Sequence, residues 1–153
     1  MNESLATLIK AVDGFGFLCE DFGMDLVSYG YDRSRKGYFK AIFENRDIML
    51  SLTLEKGQLY IHAGSVLFPD EWHSMLRLVR FIARRGGNLT HDEQDTDYWR
   101  QGMKLESQFG IAAKQLVRTL PLITRLLTGS DLEPTRAELN AHRVAASLDG
   151  EPV

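Results

Sequence analysis

The chain has 153 residues, 44% of them hydrophobic, and a formal net charge of −3, which fits one domain with a single core. The acidic balance argues against a general binder of nucleic acid or of anionic membranes. The single cysteine, Cys19, excludes an internal disulfide, and we find neither a signal peptide nor a run of ~18 apolar residues. We therefore expect a cytoplasmic protein that does not cross a membrane.

An apolar stripe at helical spacing predicts the first helix. Gly23 is suited to end this helix in a left-handed conformation, while Gly14 and Gly16 predict a kink or a close approach to the sheet. Cys19 falls on the apolar side, so we expect a buried thiol rather than a reactive one. The stripe consists of Leu5, Leu8, Ile9, Val12, Phe15, Cys19 and Phe22.

Four strand-like segments between Asp25 and Ser65 are separated only by short turns, which predicts an antiparallel meander. If Lys56 and Gly57 form a two-residue hairpin turn, apolar residues face one another across three strands and create one buried face. The face of the first strand is left open, because the loop at residues 32–37 permits either parity. The predicted buried face comprises Phe39, Ala41, Phe43, Leu50, Leu52, Leu54, Leu59, Ile61 and Ala63.

The opposite face of the sheet is mixed and therefore meets water or a partner. Its residues are Lys40, Ile42, Glu44, Met49, Ser51, Thr53, Tyr60 and His62. The register places His62 beside Ser51 and Tyr60 beside Thr53, a polar row suited to orient a small ligand. Catalysis would also need a base, an orienting acid and an oxyanion donor within reach. We find no catalytic motif, so we predict no catalytic residue, metal ligand or cofactor, and keep a small-molecule binder or enzyme as the alternative.

A second helix is predicted to open at residues 69–71, where a proline precedes two acidic residues, and to end at Gly86 and Gly87. Its buried side would comprise Trp72, Met75, Leu76, Val79, Ile82 and Ala83. Basic residues recur at intervals of four, three and four along another side. This basic stripe is either an ordinary solvated face or a contact for a phosphate or carboxylate group. It consists of His73, Arg77, Arg80 and Arg84.

Residues 88–97 are polar and acidic and are predicted to form a loop. Oxygen-rich loops can hold calcium, but this one lacks the glycine and the terminal glutamate at EF-hand spacing. We interpret it as a solvated connector that ends in a helix cap at Asp97. It also offers a charged surface to a basic partner protein. The carboxylates of this acidic segment are Asp92, Glu93, Asp95 and Asp97.

A third helical region is predicted for residues 98–128, closed by Gly129. Because Pro121 lacks an amide hydrogen and clashes with the preceding turn, we expect a kink or two shorter helices. The inward-facing residues would be Trp99, Met103, Phe109, Ala112, Leu116, Leu120, Ile123 and Leu127.

The predicted elements define an α+β fold: an N-terminal helix, a four-stranded antiparallel meander, and two to four C-terminal helices on one sheet face. Residues 1–129 would form this single domain, and residues 130–153 a C-terminal extension. In the extension, a capping-box pattern at residues 135–138 predicts a weak helix to Leu148, followed by a frayed tail.

The loop at residues 32–37 combines basic and aromatic residues, a mixture that can stack single-stranded bases. Aromatic residues in strands are also common for packing alone, so an RNA-associated domain is only a third alternative. An open meander also leaves an edge strand, which either pairs in a homodimer or is protected by the charges of this loop. The residues concerned are Arg33, Arg35 and Lys36, with Tyr29, Tyr31, Tyr38 and Phe39.

Several stretches together resemble a group of small uncharacterised bacterial α+β proteins, some of them similar to immunity proteins of polymorphic toxin systems. The stretches are residues 17–24, 38–44, 48–61 with its Lys56-Gly57-Gln58 turn, and 116–129. The resemblance transfers no functional residue. Together with the acidic segment, it leads us to expect a non-enzymatic domain that binds another protein, of the kind that inhibits a partner by covering its active site.

Overall fold

The computed structural model describes residues 3–32, 34–35, 37–96, 98 and 103–148, with the backbone alone for residues 3–4 and 142–148. The elements of the first half are α1 (Glu3–Gly14), α2 (Phe17–Phe22), β1 (Asp25–Tyr31), β2 (Phe39–Glu44), β3 (Ile48–Glu55) and β4 (Gln58–Ser65). They are followed by β5 (His73–Ser74), α3 (Met75–Arg84), α4 (His91–Gln94), α5 (Leu105–Leu126), a 3₁₀ turn (Gly129–Asp131) and α6 (Leu132–Leu148). The α+β class is thus confirmed.

The five strands form one antiparallel sheet in the order β1-β2-β3-β4-β5. The predicted register is confirmed: Leu54 faces Leu59, Leu52 faces Ile61, and Ala41 faces Leu52. All nine residues of the predicted buried face are at most 3% exposed. Burial of alternate residues on three adjacent strands explains the register, because a slip of one residue would turn all of these side chains to the other face.

The turn between β3 and β4 has the predicted two residues, and both adopt positive φ: 52° at Lys56 and 76° at Gly57. This is the conformation that matches the right-handed twist of the flanking strands. Between β2 and β3, the Asn45 side chain accepts hydrogen bonds from the backbone amides of Asp47 and Ile48 at 2.8 and 2.9 Å.

The first strand contains an irregularity that explains why its face could not be predicted. Leu26 pairs with Phe43 and Ser28 with Ile42, so one extra residue is inserted between them. Such a bulge inverts the alternation of the strand. As a result, Tyr29 lies opposite Ala41, a residue of the buried face. Tyr29 itself is nevertheless 67% exposed.

The N-terminal helical region is divided near the predicted glycines, with α1 ending at Gly14 and α2 beginning at Phe17. Gly23 ends α2 with φ 63° and ψ 26°, as predicted. The expected burial of Cys19 is wrong, because this residue is exposed. After the break the helix turns Leu18 into the core, and the next residue points roughly 100° away from it.

The second helix begins later than predicted. Residues 69–72 precede it, and residues 73–74 pair with β4 as a fifth strand. Ser74 caps α3, its hydroxyl accepting a hydrogen bond from the Arg77 amide at 3.3 Å. The predicted end is confirmed, since α3 stops at Arg84 and Gly86 has φ 78°. Of the predicted buried side, Trp72 lies before the helix and is half-buried, and Leu76 is 40% exposed.

The acidic segment is not entirely a loop, since it contains the short helix α4. A capping box encloses its start: Thr90 accepts from the Glu93 amide, and Glu93 accepts from the Thr90 amide. Asp97, the predicted cap, lies outside the described residues, as does Trp99 of the predicted inward set.

The third helical region contains one helix, α5, which begins at Leu105, later than predicted; the alternative of two shorter helices is wrong. Pro121 lies inside it. Leu116, Leu120 and Ile123, which flank this proline, are all 0% exposed. Their packing offsets the roughly 3 kcal/mol that an internal proline costs.

The last helix is also longer than predicted. It begins at Leu132, and Thr135 is a buried residue inside it rather than a cap. Leu132 and Leu139 join the hydrophobic core of the sheet and the other helices. The division of the chain at residue 129 stays a prediction.

Candidate functional site

The outer edge of β4 is only partly covered. Among the described strands, β5 alone pairs with it, and only at His62 and Ala63. Along an antiparallel pair, residues alternate between those that bond to the partner strand and those whose N–H and C=O groups point away from it. Since Gln58 closes the two-residue hairpin with Glu55, the backbone groups of Leu59 and Ile61 point away from β3.

A cleft of about 510 Å³ lies along this free edge. Leu59 and Ile61 line it although they are only 2% and 3% exposed, as expected if their backbone rather than their side chains faces it. The other described lining residues are Gln58, Tyr60, His62, Ser74, Met75, Leu76, Arg80, Thr96 and Tyr98. The cleft therefore lies between a strand edge and a helix.

The helical wall of the cleft consists of the buried Met75 and the exposed Leu76 and Arg80. Leu76 and Arg80 are one turn apart on α3 and so lie on one side of it. Leu76 and, across the cleft, Tyr60 are large exposed hydrophobic residues at 40% and 42%. No described residue forms an ion pair with Arg80. None of the described lining residues carries a carboxylate.

Gln115 organises the segment that carries Tyr98 to the cleft. This buried side chain of α5 accepts a hydrogen bond from the Tyr98 hydroxyl and donates to the backbone carbonyls of Glu93 and Asp95 at 3.1 and 2.9 Å. Burial, and secondly the charge of Asp95, raise the pKa of Tyr98, so its hydroxyl stays a donor. The sequence reasoning missed Gln115; the signal was a polar residue on the inward stripe beside Ala112 and Leu116.

The acidic segment is held against α5, and part of its negative charge is neutralised by a basic residue of that helix. Glu93 accepts a hydrogen bond from Arg118 Nε at 2.9 Å. Asp92 is exposed and Asp95 half-buried. Both line a smaller depression of about 340 Å³, to which Lys114 also contributes. The described carboxylates therefore do not form a uniform acidic patch.

The four residues of the predicted basic stripe do not share one surface, because they differ in secondary structure and in exposure. His73 belongs to β5 and is 1% exposed, so it is not part of a helix surface. Arg77 is half-buried, and Arg84 is exposed near the end of α3. Arg80 is the member that lines the cleft.

The polar row on the sheet is paired as predicted, with Ser51 opposite His62 and Thr53 opposite Tyr60. It does not form one site, however, because only Tyr60 and His62 line the cleft. Ser51 is 4% exposed and Thr53 is half-buried.

The basic loop after β1 is described only in part. Arg35 forms an ion pair with Glu55, and its guanidinium carbon lies 4.2 Å from the centre of the Tyr38 ring. Arg33 and Lys36 lie outside the described residues. The Arg35 side chain therefore contacts the C-terminal end of β3.

Comparison with protein-family models, with curated proteins and with solved structures finds no match to this chain. The resemblance to immunity proteins accordingly stays a prediction. Within the described ranges, no three His, Cys, Asp or Glu side chains are grouped so as to hold a metal ion. In that same part of the chain, no helix has both the length and the apolar character needed to span a membrane.

Proposed function

We propose that the chain is a non-enzymatic protein-binding domain that takes an extended segment of a partner protein along the outer edge of β4. The observation that carries this proposal is the free stretch at Leu59 and Ile61, whose backbone groups face a cleft walled by α3. A sheet edge of this kind binds an added strand through main-chain hydrogen bonds, and adjacent pockets select its side chains.

The expected affinity is moderate. Two residues that face outward provide two donors and two acceptors, and each bond contributes a net ~0.5–1.5 kcal/mol. Covering the exposed Tyr60 and Leu76 side chains adds roughly 1.5–3 kcal/mol each at most. After the cost of ordering an extended peptide, these terms support a complex that dissociates readily.

The immunity-type inhibitor is the more specific version of this proposal. It would use the acidic segment, including the exposed Asp92, to meet a basic groove on the partner. Opposite charge would then accelerate association. The compensation of Glu93 by Arg118 limits this contribution, so we assign the main contact to the β4 edge.

A small-molecule binder is the second candidate, and the concavity beside Tyr60 and His62 favours it. An enzyme at this position would need an acid and a base within reach. Lys40 and Glu44, the charged residues of the mixed sheet face, do not line the cleft. An RNA-associated function has less support, since Arg35 is engaged by Glu55.

Peptide selection tests the leading proposal. Random octapeptides would be selected on the full chain from two libraries, one with free C-termini and one with the peptides flanked on both sides by Gly-Ser linkers. The enriched peptides would then be titrated into the ¹⁵N-labelled chain. We expect the largest amide shifts at Leu59 and Ile61 and none at the bulged edge strand β1.

Two controls separate strand addition from other binding. N-methylation along the peptide should weaken binding at every second residue, because alternate amides face β4. Leu76→Glu should abolish binding, whereas Val117→Glu, at a 53% exposed apolar position of α5, should not. The proposal would be refuted by amide shifts that map elsewhere. It would also be refuted if N-methylation did not weaken binding at alternate peptide residues.

A further inference from the structure

The free stretch of the β4 edge is closed at one end by β5. β5 occupies the positions opposite His62 and Ala63, and the stretch from Ile61 to Gln58 leads to the hairpin turn. An added strand would therefore meet β5 end to end, and its chain could not continue straight past it. A closed end of this kind favours the terminus of a chain over an internal segment.

The charge of the lining determines which terminus fits. Arg80 is a permanent cation, and no carboxylate is among the described lining residues. Arg80 also lacks an ion pair with any described residue. An arginine binds a carboxylate through paired hydrogen bonds, whereas it would repel a terminal ammonium group.

The geometry points to the free C-terminal end of a partner polypeptide as the ligand, with Arg80 binding its terminal carboxylate. This inference rests on the proposed function and names the part of the partner that the cleft takes. Because β4 runs from Gln58 toward the residues paired with β5, a C-terminus at the closed end requires a peptide parallel to β4. Its last residues would then contact Tyr60 and Leu76.

The selected peptides allow a direct test. Each would be synthesised as a free acid and as a C-terminal amide, with a fluorophore at the N-terminus, and its affinity measured by fluorescence anisotropy. The proteins compared are wild type, Arg80→Gln, Arg80→Lys and Arg125→Gln. Arg125 is a matched control, since it is exposed on α5 and forms no ion pair with a described residue.

For wild type and for Arg125→Gln, we expect the free acid to bind at least about tenfold more tightly than the amide. For Arg80→Gln, the affinities of the free acid and the amide should differ by no more than about twofold. Arg80→Lys should retain part of the preference, because it keeps the charge but loses the planar fork. The free-C-terminus library should also enrich more strongly than the flanked one.

The failures are distinguishable. Equal binding of acid and amide to wild type, or a preference that persists in Arg80→Gln, overturns the carboxylate inference, and so does enrichment from the flanked library alone. If these peptides still shift Leu59 and Ile61, binding at the β4 edge stands. Enrichment from neither library overturns both proposals.

Discussion

Gly64 allows two backbone segments to approach more closely than a side chain permits. It pairs with Met49, and a Cβ built on it would overlap the Glu71 carbonyl oxygen and lie 2.8 Å from Met49 Cε. The connection from β4 to β5 therefore crosses the outer face of the sheet at this residue. The crossing explains why Met49, predicted on the mixed face, is only 3% exposed.

Gly64→Ala should consequently lower the free energy of unfolding by about 1–3 kcal/mol, since either the backbone at Glu71 or the strand must shift. Urea unfolding followed by circular dichroism would measure the change. Gly110→Ala is the control: nothing lies within 4 Å of a Cβ there, and an alanine inside α5 should stabilise the chain by ~0.5–1 kcal/mol. A Gly64→Ala protein as stable as wild type would contradict the close crossing.

At the scale of elements, the features that could be predicted from the sequence depend on local patterns. Those that could not be predicted depend on pairing between distant segments. The register of β2 to β4 was predictable, because side chains alternate with a period of two and one hairpin turn sets the parity. The start of α3 was not: residues 69–71 have the chemistry of a helix start, but residues 73–74 pair with β4, and Ser74 provides the cap. The cleft was not predictable as a unit either, because it joins Tyr60, Arg80 and Tyr98 from separate elements.

The attachment of the segment from Thr90 to Tyr98 depends on Gln115. Replacing this buried amide with leucine would leave the Glu93 and Asp95 carbonyls and the Tyr98 hydroxyl without their present partner. Gln115→Leu should cost about 1–3 kcal/mol, and hydrogen exchange measured by mass spectrometry should become faster in residues 88–98. Lys114→Ala, at the exposed neighbouring position, should change stability by less than about 0.5 kcal/mol. Unchanged exchange in Gln115→Leu would show that other contacts hold the segment.

At the scale of the whole molecule, α6 is connected to the crossing segment between β4 and β5. Glu71 accepts hydrogen bonds from Arg136 and from Asn140, the latter at 2.9 Å. The Arg136 guanidinium carbon also lies 3.3 Å from the centre of the Phe68 ring. The last helix is thus joined to the connection between β4 and β5, and this contact contains a titratable carboxylate.

The contact between Glu71 and α6 should make the free energy of unfolding depend on pH. The hydrogen bond from Arg136 is the largest cause that lowers the pKa of Glu71 below its ordinary 4.5. A carboxylate with a lowered pKa in the folded state contributes stability that is fully present above the unfolded value and is lost as the pH falls through the folded one. Glu71→Gln should therefore be about 1 kcal/mol less stable than wild type at pH 7, and the difference should shrink toward pH 2.5.

Urea unfolding of both proteins across this pH range measures the effect. Glu133→Gln is the matched control, because Glu133 contacts the same arginine but its side chain is 72% exposed; it should stay within about 0.5 kcal/mol of wild type at pH 7. A Glu71→Gln difference that does not change with pH would assign the contribution of this residue to packing. A difference that shrinks as the pH falls would assign the contribution to the ion pair between Glu71 and Arg136, which links α6 to the connection between β4 and β5.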